Sequence, residues 1–330
     1  MPPTFYFALG ARPRRRDLVV ALLVGQRHFL VPAGSPGATL LQQTPTVHVV
    51  LDSWAYPPGN TDRPSLPRYA HLLAGWHCNH APVNLSNAGA TFDWALSYDT
   101  IGDAVTSERD EDRLRSLFAA ICPCVDPPIV PITHYPGIGA AAIIGDLRGD
   151  RDVCFDEQER TEATRRQAWG FLDAADGPTD WPVYAIGGLV PARYAREAAA
   201  WYEQLIAELD AASNLDPFQR RVHLLGVGKP SWVLRSPLVM SFDSSGPARL
   251  ATTGFDHAIA RSYCPDYVLS IAKLRRSREA RLAYHLIAYR ARVGLPWQHV
   301  DEALLLDDRE VLSPPLTEEA LWEQQVLAAL

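Results

Sequence analysis

Two aspartates end short apolar runs, in Leu51-Asp52-Ser53 and Phe242-Asp243-Ser244. A carboxylate fixed at the end of a buried strand can attack an electrophilic carbon or move a proton, and two facing one cleft can divide those tasks. Similar runs stop on Gly10, Asp99, His134, Gly188 and Gly228. Stops of this kind, repeated along a chain, point to an enzyme whose chemistry sits where its strands end.

The runs themselves are Phe5–Gly10, Val47–Asp52, Phe92–Asp99, Pro128–His134, Pro182–Gly188, Val222–Gly228 and Pro237–Asp243, and Leu18–Gly25 adds an eighth. Near-continuous apolar strands suit a parallel sheet buried on both faces. Eight of them, mostly separated by enough chain for a helix, predict an α/β fold: a (β/α)8 TIM barrel with its functional groups at the C-terminal strand ends. A doubly wound open sheet would use similar strands and stays open as an alternative. The pairs Gly187-Gly188 and Gly226-Val227-Gly228 lack the third glycine and the helix-opening context of a dinucleotide fingerprint, so no cofactor is expected. Helices are predicted over Leu66–Trp76, Glu108–Ile121, Asp156–Ala175 and Pro191–Ala212. From Phe255 onward the pattern is helical, ending in Thr317–Leu330. Residues 1–254 are therefore read as the barrel and 255–330 as a helical extension packed on it in the same domain. Two excursions, Tyr56–Pro67 and Gly137–Asp152, interrupt the alternation, and long loops at a barrel's catalytic face usually carry function.

The composition, 47% hydrophobic and 21% charged, is that of an ordinary globular chain. No stretch reaches the roughly 18 apolar residues that span a bilayer, and the start lacks the pattern of a signal peptide. The expected location is the cytoplasm, with no membrane partner. Cys78, Cys122, Cys124, Cys154 and Cys264 are odd in number and irregularly spaced, which predicts reduced thiols rather than a disulfide framework. Cys122-Pro123-Cys124 with Cys154 lacks a nearby histidine and is not expected to hold a metal. The net charge is −7, yet the cations cluster and only Lys229 and Lys273 are lysines. Arg12, Arg14, Arg15 and Arg16 follow the first strand, where guanidinium forks can hold phosphates. A second group, Lys273, Arg275, Arg276, Arg278, Arg281, Arg290 and Arg292, reads equally as a solvated helix face.

Five segments, in order, resemble the tRNA-guanine transglycosylases and their DNA-acting relatives in 7-deazaguanine DNA modification. Leu51-Asp52-Ser53-Trp54-Ala55-Tyr56 is similar to the family's Asp-Ser-Gly-Gly-aromatic segment, and Phe92–Asp99 to its second acidic strand. Ala185-Ile186-Gly187-Gly188-Leu189 resembles the Gly-Gly-Leu turn, and His223–Pro230 the Gly-Val-Gly-x-Pro turn. Phe242–Arg249 falls on the segment that carries the nucleophile, with Pro247 and Arg249 in register. The opening Phe5–Gly10 looks closer to the DNA-acting branch.

The resemblance implies exchange of a nucleic-acid guanine for a 7-deazaguanine, such as 7-cyano-7-deazaguanine, in a bacterial or phage-infected cell. Breaking an N-glycosidic bond builds positive charge at the anomeric carbon, which a carboxylate can stabilise and then capture as a sugar ester. By resemblance Asp243 is that nucleophile and Asp52 the general base for the incoming ring nitrogen; the reverse assignment stays open. One site binds the departing and incoming bases in turn, so ping-pong kinetics follow. Asp99 matches the base-reading acid, an acceptor for guanine's adjacent N–H donors, although it also suits a turn or helix cap. Tyr56 matches the stacking aromatic, with a rim-packed loop residue as the plainer alternative, and Leu225 the opposite apolar face. Gly187, Gly188, Leu189 and Gly226 would bring backbone close to the base.

The departures are equally specific. His134 stands where the family has a glutamine; it can touch the base's acceptors, or be a rim histidine satisfied by backbone. Trp54-Ala55 replaces a Gly-Gly pair. The structural zinc of the tRNA enzymes needs three cysteines and a histidine; here only Cys264 and His285 remain, too few for a four-coordinate site. No metal is expected there. With that element gone, the resemblance favours DNA over tRNA. A duplex guanine would swing into the mouth at a cost of roughly a few kcal/mol, while Arg12, Arg14, Arg15, Arg16 and Arg249 hold phosphates and an accessory protein delivers the DNA. A barrel that binds a nucleobase or nucleic acid without turnover would keep Tyr56 and Asp99 but need neither Asp52 nor Asp243. A hydrolase in which water resolves the ester is a further variant.

Overall fold

Strand and helix alternate from the start: β1 (Thr4–Ala8), α1 (Arg15–Leu23), β2 (His28–Pro32), α2 (Pro36–Gln42), β3 (His48–Asp52), α3 (Leu66–His77), β4 (Thr91–Leu96) and α4 (Ala104–Ile121). There follow β5 (Ile129–Val130), β6 (Ile132–His134), β7 (Tyr184–Gly187), β8 (Val222–Leu224), β9 (Val239–Ser244), α5 (Gly246–Thr253) and α6 (Arg278–Arg292). The computed structural model describes residues 2–44, 46–55, 60–77, 91–101, 104–123, 128–134, 182, 184–187, 200, 202–207, 222–227, 236–253, 274 and 277–300. The expected helix Asp156–Ala175, the excursion Gly137–Asp152 and the tail Thr317–Leu330 lie outside them, and of Pro191–Ala212 residues 200 and 202–207 are helical.

All pairings are parallel, in the order β5-β4-β3-β2-β1-β9-β8-β7-β6. The two ends of that order are one stretch of chain. β5 pairs with β4, β6 pairs with β7, and only Pro131 separates them. Proline cannot donate to a ladder, but its carbonyl accepts from Ala185 N–H at 2.8 Å, while Ser97 N–H donates to Val130 on the other side at 2.8 Å. One kinked segment thus serves both edges, giving eight strand positions in a (β/α)8 barrel and excluding the open doubly wound sheet.

The eighth strand is not where apolar composition placed it. Leu18–Gly25 lies on α1 and the turn after it, and the strand is His28–Pro32. A short apolar run fits a buried helix or a buried strand equally by composition. Two features decide: Asp17 in the first turn, and Gly25 at φ 84°, the left-handed conformation in which helices commonly stop.

Inward residues alternate with outward ones along each strand, as the pleat requires. Tyr6, Leu30, Val50, Trp94, Leu96, Val130, Ile132 and Ala185 fill the barrel interior. The opposite faces of the same strands, including Phe5, Phe7, Phe29, Val49, Leu51, Ile186 and Phe242, join the larger core beneath the helices. Phe5 stacks on Phe242 at 5.0 Å and meets Tyr289 of α6 at 5.8 Å.

Three arginines of α6 are turned into the fold, while Arg292 is exposed and Lys273, Arg275 and Arg276 lie outside the described residues. Arg278 clasps Asp17 of α1 with two nitrogens, Arg281 caps the carbonyls of Ala251 and Leu274 at 2.7 and 3.1 Å, and buried Arg290 reaches Gln26 Oε1 at 2.6 Å. Planar guanidinium forks make several directed bonds at once, so Arg278 and Arg290 tie α6 to α1 and the turn after it, and Arg281 ties α6 to α5. Cys122, at the end of α4, is disulfide-bonded, correcting the expectation of five reduced thiols; cysteine spacing along a chain does not reveal which sulfurs the fold brings together. Among the described residues no helix is long and apolar enough to cross a membrane.

Candidate active site at the C-terminal mouth of the barrel

Asp52 is the last residue of β3, and Asp243 lies near the end of β9. Both project to the interior side, at the same end of the barrel. Asp243 is 4% exposed. Its Oδ1 accepts from the Gly226 N–H at 2.9 Å and from His223 Nε2 at 3.2 Å. Its own carbonyl accepts from Val227 N–H at 2.8 Å, so the turn after β8 grips both backbone and side chain. Gly226 adopts φ 64°, which a glycine takes without the steric cost a Cβ would add.

His223 is fully buried, and its Nδ1 lies 2.8 Å from Ser241 Oγ. With Nε2 donating to Asp243, Nδ1 is assigned as the acceptor of the serine hydroxyl. Trp94 and Tyr6 pack edge-on against the ring at 4.8 and 6.0 Å. The sequence reading named His223 only as the first residue of a turn segment. Its signal was parity: it sits two residues before Leu225, on the inward face of an otherwise apolar strand.

Across the mouth, Asp52 is partly exposed as a residue while its carboxyl end is buried. Burial of the carboxyl pushes its pKa up to about 7, reinforced by the charges of Asp99 and Asp243 and opposed by a backbone hydrogen bond from Trp54 and by Arg63. Each acid stands at the C-terminal end of its strand on the inward face, so the two share one mouth. Trp54 takes φ 64°. For a bulky residue this is an outlier that costs about 1–3 kcal/mol, and such strain gathers at functional sites. It falls where the resembled segment has a glycine.

Asp99 is 2% exposed. Its Oδ1 accepts from Ser53 Oγ at 2.6 Å and its Oδ2 from His134 Nε2 at 2.7 Å. Burial would raise its pKa, but the bond and charge of His134, with Arg63 and Ser53, more than reverse this and hold the carboxyl below its ordinary value. The turn role belongs instead to Ser107, whose Oγ accepts from Thr100 N–H at 2.8 Å. His134 is bonded to an acid rather than satisfied by backbone. Its Nδ1 is buried without a hydrogen-bond partner among the described residues and lies against Gly187, where an added Cβ would sit 2.6 Å from that nitrogen and 3.4 Å from Leu225 Cδ1. Gly187 is therefore required by the histidine beside it.

Arg63 belongs to the excursion after β3 and was not singled out from sequence. Its guanidinium donates to the carbonyls of Ser53 at 3.2 Å and Asp99 at 2.6 Å, and lies 3.8 Å above the Tyr98 ring. Tyr69 Oη donates to Leu96 O at 2.6 Å, steadying the end of β4. Together these contacts join Asp52, Ser53, Asp99, His134, Gly187, Leu225, Gly226 and Asp243 around the mouth. Tyr56, Gly188 and Leu189 lie outside the described residues.

No known protein family matches this sequence, and no curated protein is similar to it. The chemistry is therefore read from the mouth itself.

Arg12 lies in the loop after β1, Arg14 at the N-cap of α1, and Arg15 and Arg16 in its first turn rather than in the loop. Arg14 Nη1 approaches Glu279 at 3.8 Å, and Arg249 is exposed on α5. His285 is buried on α6, edge-on to Tyr284 at 5.6 Å, and burial followed by the charge of Arg281 lowers its pKa to about 4. Cys264 lies outside the described residues.

The contact between Gly187 and His134 can be tested by itself. Gly187→Ala is expected to destabilise the chain by about 1–3 kcal/mol through overpacking. In a thermal double-mutant cycle with His134→Ala most of that loss should disappear, because the two sites share one space. Additive losses would show that the two do not meet.

Proposed function

We propose that this chain is a base-exchange transglycosylase, a pentosyltransferase that replaces guanine in DNA with a free 7-deazaguanine through a covalent aspartyl-sugar ester. The observation that carries this reading is the unlike pair of acids at one mouth: Asp243, fixed by the Gly226 N–H and His223, and Asp52, poised near neutrality. Acids with unlike environments are suited to unlike tasks.

In the first half-reaction a carboxylate oxygen of Asp243 attacks the anomeric carbon as the C–N bond to guanine breaks, and protonated Asp52 supplies the proton that the departing purine needs. In the second, ionised Asp52 takes the proton from the ring nitrogen of the incoming base, which attacks the same carbon and releases Asp243. Among the described residues both hydrogen bonds to Asp243 land on Oδ1, which leaves Oδ2 for the sugar. His134 is suited to line the base pocket, its ring fixed through Nε2 by Asp99 behind it. Tyr56, Gly188, Leu189 and Leu225 would complete the pocket, and no cofactor takes part. Arg12, Arg14, Arg15, Arg16 and Arg249 would hold phosphates, so binding should weaken steeply with salt, and an acidic chain with so local a basic patch suits an accessory protein that presents the DNA.

The test is direct. Purified protein incubated with labelled guanine and either duplex DNA or tRNA should place label in DNA. Label entering only tRNA would assign the same exchange to the other polymer. Release of guanine without incorporation would indicate a hydrolase, and tight binding with no release a non-catalytic barrel.

A further inference from the structure

A second cluster occupies the opposite, N-terminal end of the barrel. His28 and His48 are register partners on β2 and β3, and their rings stack at 4.6 Å with 14° between planes. Along β3 and β4 the register slips between Val49 and Val50: Val49 pairs with Phe92 and Val50 with Trp94, so Asp93 has no partner of its own. A bulge of this kind re-aims a side chain. Here it delivers a carboxylate to the imidazole pair, with Asp93 Oδ1 2.9 Å from His48 Nδ1. One ligating atom from each of the three residues lies within 4.8 Å of the others.

We propose that His28, His48 and Asp93 form a binding site for a divalent transition metal, zinc foremost, with water completing the coordination shell. Two imidazoles and one carboxylate are a donor set that Zn2+ accepts. Tetrahedral bonds of about 2.0–2.1 Å place donors roughly 3.3 Å apart, so an ion can replace the His48–Asp93 hydrogen bond after a small turn of the His28 ring. The outer contact is already present: Tyr6 Oη donates to Asp93 Oδ2 at 2.8 Å, orienting the carboxylate as second partners orient ligands. Solvent can reach the cluster, since the side chains of His48 and Asp93 are 43% and 17% exposed. The interior layer that includes Tyr6, Leu30, Val50 and Trp94 stands between it and the catalytic mouth. Because this end of a barrel serves stability rather than chemistry, the ion would cross-link β2, β3 and β4.

The experiment uses the full chain, stripped with chelator, dialysed and titrated calorimetrically with zinc chloride, and in parallel with cobalt chloride followed by visible absorption. The expected result is one equivalent bound with weak ligand-field bands and no thiolate charge-transfer, and a melting temperature raised by zinc. Asp93→Asn, which keeps the shape and the bond from Tyr6, and His48→Ala should each weaken zinc binding by more than about 100-fold, beyond the effect of losing a second-shell partner. Failure of the unmodified chain to bind either ion would leave only a histidine–aspartate ion pair and overturn the proposal. A cobalt spectrum dominated by thiolate ligation, or variants that bind as tightly as the unmodified chain, would overturn it equally.

Discussion

Asp243→Ala is expected to lower base exchange by roughly 10⁴–10⁶-fold, the range seen when an enzymatic nucleophile is removed, and to abolish any protein–DNA adduct recovered under denaturing conditions. The loss should be chemical rather than structural. Asp243 lines the mouth and its bonds come from a backbone N–H and a neighbouring histidine, so the barrel retains its ladder when the carboxylate is gone. Asp243→Asn makes that separation explicit: its amide oxygen can still accept from Gly226 and His223, yet it cannot form the sugar ester. Thermal melts near that of the unmodified chain, combined with absent adduct and absent incorporation of labelled guanine, would assign the attack to this residue. Ordinary turnover by Asp243→Ala would end the mechanism. If adduct persisted in Asp243→Asn but vanished in Asp52→Asn, the two acids would exchange roles.

What the sequence made legible follows from how each signal is encoded. β3 and β9 were readable because a run of apolar residues ending on an acid is both a strand signal and a chemical one. β2 was not, because Leu18–Gly25 outweighs His28–Pro32 in apolar content while the feature that sorts them, a glycine at positive φ, is conformational. Asp52, Asp99, His134 and Asp243 could be chosen as polar residues at strand ends. The partners that tune them could not: Ser53 to Asp99 and His223 to Asp243 are contacts across 46 and 20 positions of chain. Arg63 lay within a loop marked as an excursion, but only the fold shows its guanidinium bridging the backbone after β3 and after β4. The α6 arginines were left open by the sequence. A row of cations on a helix reads as solvated surface until its partners, Asp17 and Gln26, are seen some 260 residues earlier. Ionic closures between distant segments have no local signature.

The pH dependence of exchange should carry the signature of Asp52. Its carboxyl is held near 7 by burial and by two neighbouring acids, so below that pH it is a proton donor and above it a proton acceptor. Adduct formation, which needs the donor, is expected to slow as pH rises through about 7, whereas resolution of the adduct by the incoming base should accelerate over the same range. Steady-state exchange then peaks near neutrality, with both limbs belonging to one group rather than two. Asp52→Asn should form adduct and resolve it each about 10²–10⁴-fold more slowly, the usual contribution of a positioned acid–base group, and both half-reactions should lose their dependence on pH near 7 in single-turnover measurements. Linkage supplies an independent check. An acid whose folded pKa lies above its ordinary 3.8 binds more protons in the native state than in the unfolded one between those values, so its contribution to stability falls as pH rises from about 4 to about 7. The asparagine variant removes that loss, and denaturant unfolding at pH 8 should find it more stable than the unmodified chain, although it exchanges base poorly. A carboxyl retained for packing would show the opposite result. The proposed exchange would instead account for a carboxyl held near neutrality at a cost to the fold, the trade expected where activity and stability compete for one position.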